Sequence, residues 1–262
     1  MFMLACDSTA SLCRQAKGKV DMEVRRQDIH NSDIPLVCRA CEARHGGVCG
    51  ALTPEQLTEL NRHSFRHRLE TGAEVIGQGE TVVNYSNIMR GVVKLTKVMA
   101  DGRQQIVGLQ FAPDFLGRPF LEESAITAEA ATDSEVCNFP RNVLDRLVKK
   151  TPELEHKLHR QALKELDEAR DWMLTLGRKT AQEKVASFLY LIAIHIDPES
   201  VDTSSFDLPL SRADIADFLG LTIETVSRQF TKLRKENVIR IENNRRVTVP
   251  DMDRLMRHAG ND

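Results

Sequence analysis

The chain has 262 residues, too many for one small domain and enough for two or three. Lys plus Arg number 36 against 38 for Asp plus Glu, a formal net charge of −2, so the protein is not basic throughout, although one basic face remains open. With 28% charged and 41% hydrophobic residues the composition is that of a soluble globular protein, and no run approaches the ~18 apolar residues of a spanning helix.

The start, MFMLACDSTASLCRQAKGK, lacks the basic segment and apolar stretch of a secretory signal, so a cytoplasmic location with no membrane partner is expected. Residues 1–35 show no steady period and read as a mobile leader. Six cysteines follow or lie within it: Cys6, Cys13, Cys38, Cys41, Cys49 and Cys137. A cytosolic chain gains little from disulfides, which reductants open. Cys38, Cys41 and Cys49 form C-x2-C-x7-C, and thiolates select zinc or iron–sulfur iron. The residues between Cys41 and Cys49 contain Gly46 and Gly47 and no helical apolar stripe, which suits a wrapping loop. Three clustered thiols want a fourth. Cys137 is a candidate, and equally a buried core thiol; His45 is either a zinc ligand or a solvated loop histidine. Cys6 and Cys13 read as incidental.

Residues 53–61 predict a short helix with Thr53 as N-cap, Pro54 at its first position and Gln56 closing a capping box. From 64 to 140 the texture is short strands and glycine turns. Phe65 and Leu69 precede Gly72, and Val75 and Ile76 precede Gly77. One hairpin arm is expected through Ile88, Val92, Val93, Leu95 and Val98, a turn at Asp101-Gly102 with positive φ angles, and a second arm through Ile106, Val107, Leu109 and Phe111. A further strand is expected from Ala130 to Phe139. Such a series predicts an antiparallel barrel or jelly roll.

After Pro152 the period becomes helical. Leu154, Leu158, Ala162, Leu166, Ala169, Met173 and Leu176 advance by 4, 4, 4, 3, 4 and 3, one face of a long helix. It either lies on its own barrel or pairs with a symmetry mate; charges on both sides of the stripe (Glu165, Asp167, Arg170) favour the pair, a homodimer. Gly177 and Arg178 close it, Thr180 caps a buried helix, and Asp197 to Ser205 read as a polar linker.

Residues 211–231 carry a helix-turn-helix pattern. Ser211 caps, Asp214 sits in the first turn, Ile215 and Leu219 share a face, and Ala216 is small where a second helix crosses. Gly220 permits the turn, Leu221 plugs it, and Thr222 starts a helix with Val226, Phe230 and Leu233 inside. The same pattern could be a plain helical hairpin. The polar outer face (Glu224, Thr225, Ser227, Arg228, Gln229, Lys232) argues instead for a recognition helix in a DNA major groove. Residues 238–241 and 246–249 flank Asn243-Asn244 as a wing hairpin. Between 227 and 246 seven bases face two acids, the footprint of phosphate contact.

In order, a cysteine cluster, a glycine-punctuated barrel, a striped helix and a winged helix resemble the Crp/Fnr superfamily of bacterial transcription regulators across about residues 36–257. Glu224-Thr225-Val226-Ser227-Arg228 is similar to the E-x-x-S-R reader of the oxygen-responsive Fnr branch. The cysteine spacing and Leu176-Gly177-Arg178-Lys179-Thr180-Ala181 resemble its FnrL/FnrN-like subgroup.

The resemblance implies an α+β chain with four parts. Residues 1–35 are the leader. Residues 36–150 form the cysteine loop and a β jelly roll of the cyclic-nucleotide-binding type, 151–177 a dimerisation helix, and 178–262 a winged helix-turn-helix. It further implies a [4Fe–4S] cluster on Cys38, Cys41, Cys49 and Cys137, and a dimer interface of Leu158, Ala162, Leu166, Ala169, Met173 and Leu176. Thr222, Glu224, Ser227, Arg228 and Lys232 would contact palindromic TTGAT-like operators, with RNA polymerase as a further partner. Such a protein regulates transcription and is not an enzyme. No cyclic nucleotide is expected, because Ile126-Thr127-Ala128-Glu129-Ala130 has no arginine for its phosphate and carries an acid. The rivals are a regulator of the same fold with a structural zinc, and an iron–sulfur electron carrier.

Overall fold

A computed structural model describes residues 34–39, 41–196 and 204–260. The expectations for residues 1–33, including Cys6 and Cys13, fall outside these. The expected leader is too long at its end: Ile34 is buried in the core beneath the cysteine segment. That segment is not a wrapping loop but a series of single turns: α1 (Leu36–Arg39), α2 (Glu42–His45) and a 3-10 turn (Val48–Ala51). Helix α3 (Pro54–His63) begins on the expected capping box, with the Thr53 side chain accepting from Gln56 N–H and the Gln56 side chain accepting from Thr53 N–H.

Eight strands form two antiparallel four-stranded sheets, a β-roll. They are β1 (Phe65–Leu69), β2 (Glu74–Ile76), β3 (Asn84–Arg90), β4 (Val92–Val98), β5 (Gln104–Phe111), β6 (Phe115–Leu116), β7 (Thr127–Ala130) and β8 (Ser134–Pro140). The sheet orders are β1-β8-β3-β6 and β2-β7-β4-β5. Two expected strands are each a pair. Ile88 lies in β3 of the first sheet, whereas Val92 to Val98 form β4 of the second, and the chain changes sheet at Gly91. Similarly, 130–139 is the end of β7 and the body of β8, joined by a corner. The two corners lie side by side, with Ala131 N–H donating to Val92 O at 2.8 Å and Val92 N–H to the Thr132 hydroxyl at 3.0 Å. At the β4–β5 turn, Gly102 has a positive φ and Asp101 does not, so the turn is wider than a two-residue primed turn.

Helix α4 (Arg141–Lys150) leads into α5 (Pro152–Arg178), a 27-residue helix. At 1.5 Å per residue it is ~40 Å long. Helix α6 (Ala181–Ile196) has Thr180 as its cap: Thr180 N–H donates to Glu183 at 2.7 Å. Ser204 and Ser205, expected in a linker, belong to strand β9 (Ser204–Asp207). Then come α7 (Arg212–Leu219), α8 (Ile223–Lys235), β10 (Arg240–Glu242), β11 (Arg246–Val249) and α9 (Met252–His258). The wing is therefore a three-stranded sheet, β10-β11-β9. Asn243 and Asn244 both take left-handed φ angles, 51° and 56°, as a tight primed turn requires.

One core joins the two ends of the molecule. Val92, Ile106 and Phe111 of the roll pack with Phe188 and Ile192 of α6 and Ile215 and Phe218 of α7. Polar ties reinforce the junction: Lys94 Nζ lies 2.9 Å from Glu129 and 3.3 Å from Asp214, and Ile106 N–H donates to Asp217 at 3.2 Å. Among the described residues no helix is long and apolar enough to cross a membrane.

Candidate thiol centre and nucleic-acid interface

Cys38, Cys41, Cys49 and Cys137 come together. They line one small cavity with Arg44, Leu57, Leu60, Asn61, Ser64, Asn87 and Phe139. All four are free thiols and half-buried. Four separate elements deliver them. Cys38 is in α1, Cys41 is the N-cap of α2, and Cys49 is on the 3-10 turn. That turn lies directly on α2: a Cβ at Gly50 would stand 2.6 Å from the Arg44 carbonyl oxygen, so only glycine fits. Cys137 is in β8, a central strand, paired with Arg66 of β1 and Asn87 of β3.

The thiols feel one another. Burial first, and then the nearby Cys41, push the Cys49 thiol up to about 12 and the Cys38 thiol up to about 11. The Cys137 thiol is raised by the same two causes. Arg66 and Arg44 oppose the rise at Cys38. A cation among them would favour thiolates, since a nearby positive charge stabilises the anion. The donor set, four soft sulfurs with two guanidinium groups nearby, fits an anionic iron–sulfur group. Among the described residues no three His, Cys, Asp or Glu side chains have the geometry to hold a single metal ion. His45 is half-buried, with a ring nitrogen 3.4 Å from Arg39 O, and it faces a neighbouring cleft lined by Glu153, Lys157 and Arg160 of α5. Asn61, Ser64, Asn87 and Met89 carry no local signal: Asn61 and Ser64 reach the thiols through the docking of α3, and Asn87 and Met89 through the register of β3.

Along α5 the apolar stripe divides. Leu154 is buried in its own protomer, and Leu158 and Leu176 are half-buried. Ala162, Leu166, Ala169 and Met173 face solvent. Two leucines the stripe omitted join them: Leu163 and Leu174 are each 59% exposed, against 45% for Leu166 and 72% for Met173. Trp172 instead turns inward onto Phe218 of α7, ring centroids 4.5 Å apart.

The helix-turn-helix forms as its local signals dictate. Ser211 accepts from Asp214 N–H at 3.1 Å, and Asp214 accepts in return from Ser211 N–H at 3.2 Å. Gly220 is left-handed at φ 59°, and Leu221 N–H returns to Ala216 O at 2.9 Å. Thr222 caps α8 by accepting from Thr225 N–H at 3.2 Å, so its hydroxyl serves the helix start. Val226, Phe230 and Leu233 are buried, which fixes Glu224, Ser227, Arg228 and Lys232 on the exposed side. Its own backbone N–H and the Thr222 side chain hold the Glu224 carboxyl below its usual range. The Arg228 guanidinium rests 3.4 Å from the Thr225 hydroxyl, exposed and able to swing outward. Arg234, Lys235, Arg240, Arg245 and Arg246 extend the basic surface along α8 and the wing.

Residues 183–258 match the Crp-like helix-turn-helix domain, and residues 66–151 match the cyclic nucleotide-binding domain. The chain is 66% identical to a "Probable transcriptional activator" of Rhizobium leguminosarum bv. viciae, over 90% of this chain and 98% of the relative. It is 42% identical to the "Transcriptional activator protein FnrL" of Cereibacter sphaeroides, over 88% and 96%. The solved structure of FixK2 from Bradyrhizobium japonicum aligns with a TM-score of 0.67 at 31% identity, covering 74% of this chain and 96% of that one. The chain therefore belongs to the Crp/Fnr superfamily of transcription regulators, in its Fnr branch. It is a transcription activator of the Fnr/FixK type and not an enzyme; regulators of this family bind DNA and act as dimers.

Proposed function

We propose that the protein is an oxygen-responsive dimeric regulator that carries a [4Fe–4S] cluster on Cys38, Cys41, Cys49 and Cys137. One observation carries this reading: four thiols from four separate elements line a single cavity. Four thiolates are a full ligand set for such a cluster, one to each iron, and equally for one zinc, so metal content separates the two readings. When bound, such a cluster supplies a centre whose stability depends on charge, hydrogen bonds and exposure. Arg44 and Arg66 offset the negative charge of the thiolates. The cysteine turns, tied to β3 and β1, also pack on the N-terminal part of α5. Any change in how those turns are tied alters the packing at the head of the dimer helix. Through Ala162, Leu163, Leu166, Ala169, Met173 and Leu174, α5 would set the two recognition helices about one DNA turn apart, ~34 Å.

On the operator, Arg228 presents a planar fork that matches guanine O6 and N7, and Glu224 accepts from cytosine N4. Ser227 lies between them, while Lys232 serves phosphate. The family resemblance supplies TTGAT-like half-sites as the target, and RNA polymerase as the partner that activation addresses. The β-roll is read as binding no cyclic nucleotide. Its interior is filled by Ile88, Val93, Leu116 and Ala128. Glu129, expected to repel a phosphate, is paired with Lys94, so packing carries this reading and charge does not. Anaerobic purification with iron, sulfide and zinc assays tests the function. About four irons and four sulfides per chain support it; stoichiometric zinc without iron replaces it with a structural-zinc regulator.

A further inference from the structure

Asn87 has properties that neither its strand nor the family fold calls for. It is 1% exposed, in the middle of β3. Its cross-strand partner is Cys137, so the two side chains share a face of the sheet. Its Nδ2 donates to Cys49 Sγ at 3.1 Å, and it lines the thiol cavity. Its Oδ1, equally buried, has no hydrogen-bond partner among the described residues. A buried carboxamide satisfied at one end only is costly to the fold. An apolar side chain would fill the same place without that cost.

Other contacts to the thiols differ in kind. Asn61 Oδ1 stands 3.9 Å from Cys38 Sγ and Met89 Sδ 3.6 Å from Cys41 Sγ, each accepting a thiol proton; Met89 has no donor for a thiolate, and Asn61 would have to turn its amide over to donate. The Ser64 hydroxyl is a hydrogen-bond partner of Cys137 that opposes the rise of its thiol, but it is exchangeable, since it donates to Asn61 O at 3.2 Å. The Asn87 N–H becomes a stronger donor once Cys49 is an anion.

We propose that Asn87 is a positioning residue that donates a hydrogen bond to the Cys49 thiolate in the loaded protein and so slows oxidation of the cluster by dioxygen. The inference rests on the [4Fe–4S] reading above. The donated N–H draws charge from the sulfur and favours the electron-rich core. That raises the potential at which an electron leaves the core for dioxygen, which is thereby reduced.

The test compares anaerobically purified wild type, Asn87→Ala and Asn87→Asp. Iron and sulfide content, midpoint potential by redox titration, decay of the visible absorption in air, and thermal melting are measured on each. Alanine removes the donor; aspartate keeps the shape and substitutes an acceptor. Decay in air should quicken about tenfold in Asn87→Ala, the lower end of effects found for outer partners of metal ligands, and further in Asn87→Asp. The potential should fall in the same order. Wild-type decay and potential in both variants, with four irons bound, overturn the role of Asn87 and leave the cluster standing. Wild type without iron and sulfide overturns both. If Asn87→Ala shows no cooperative melt, the isosteric Asn87→Asp decides: faster decay and a lower potential support the inference, and wild-type values refute it.

Discussion

Ala169→Glu probes the dimer helix where its geometry is most demanding. Ala169 faces solvent between Leu166 and Met173, so within one protomer the new side chain meets water. Glutamate is a good helix former, and its one local cost is repulsion from Glu165 four residues earlier, a few tenths of a kcal/mol. Across a two-fold axis the change is larger. Two carboxylates ~6 Å apart at an effective dielectric of ~20 repel by ~3 kcal/mol. That is about a hundredfold in the dimerisation constant, before any desolvation. Sedimentation equilibrium of wild type and variant measures it, with thermal melting to confirm an unchanged monomer fold. The variant should shift towards monomer and lose operator affinity in parallel. An unchanged dimer would remove this face of α5 as the interface.

Further outcomes follow from the two sites. Arg228→Ala should cost about 1–3 kcal/mol on the matched operator and relax preference at one base pair, whereas Lys232→Ala should weaken all sequences alike; titration of single-base operator variants separates them. Serine at Cys38, Cys41, Cys49 or Cys137 should each abolish the cluster, read from iron content and visible absorption, and serine at Cys6 or Cys13 should leave it intact. Phe230→Ala empties the centre of the helix-turn-helix core and should destabilise the protein by about 3–5 kcal/mol in denaturant unfolding.

The helix-turn-helix was legible almost residue by residue, because its signals are local. A capping box at Ser211 and Asp214, a left-handed Gly220 and a turn of two asparagines each fix the chain within a few residues. The cysteine cluster was legible as a donor set by type and spacing. Its surroundings were not: Asn87 reaches Cys49 only through the pairing of β3 with β8, which no short window encodes. The roll's corners were hidden for a related reason. Ile88 and Met89 are separated from Val92 and Val93 by Arg90 and Gly91 alone, too short a break to mark a corner, so one strand was expected where two belong to different sheets. Strand β9 was overlooked because Ser204 and Ser205 are polar, although Ser204 is buried and its partner strand supplies the apolar side chains. The tie of Lys94 to Asp214 spans 120 residues and appears only once the roll and α7 are in place.

The coupling between thiol centre and DNA surface is tested most directly by operator affinity of one anaerobic sample before and after exposure to air. Fluorescence anisotropy on a labelled TTGAT palindrome should show tight binding before exposure and a large loss after it, in step with bleaching of the visible absorption. Affinity unchanged while the colour disappears would contradict the account.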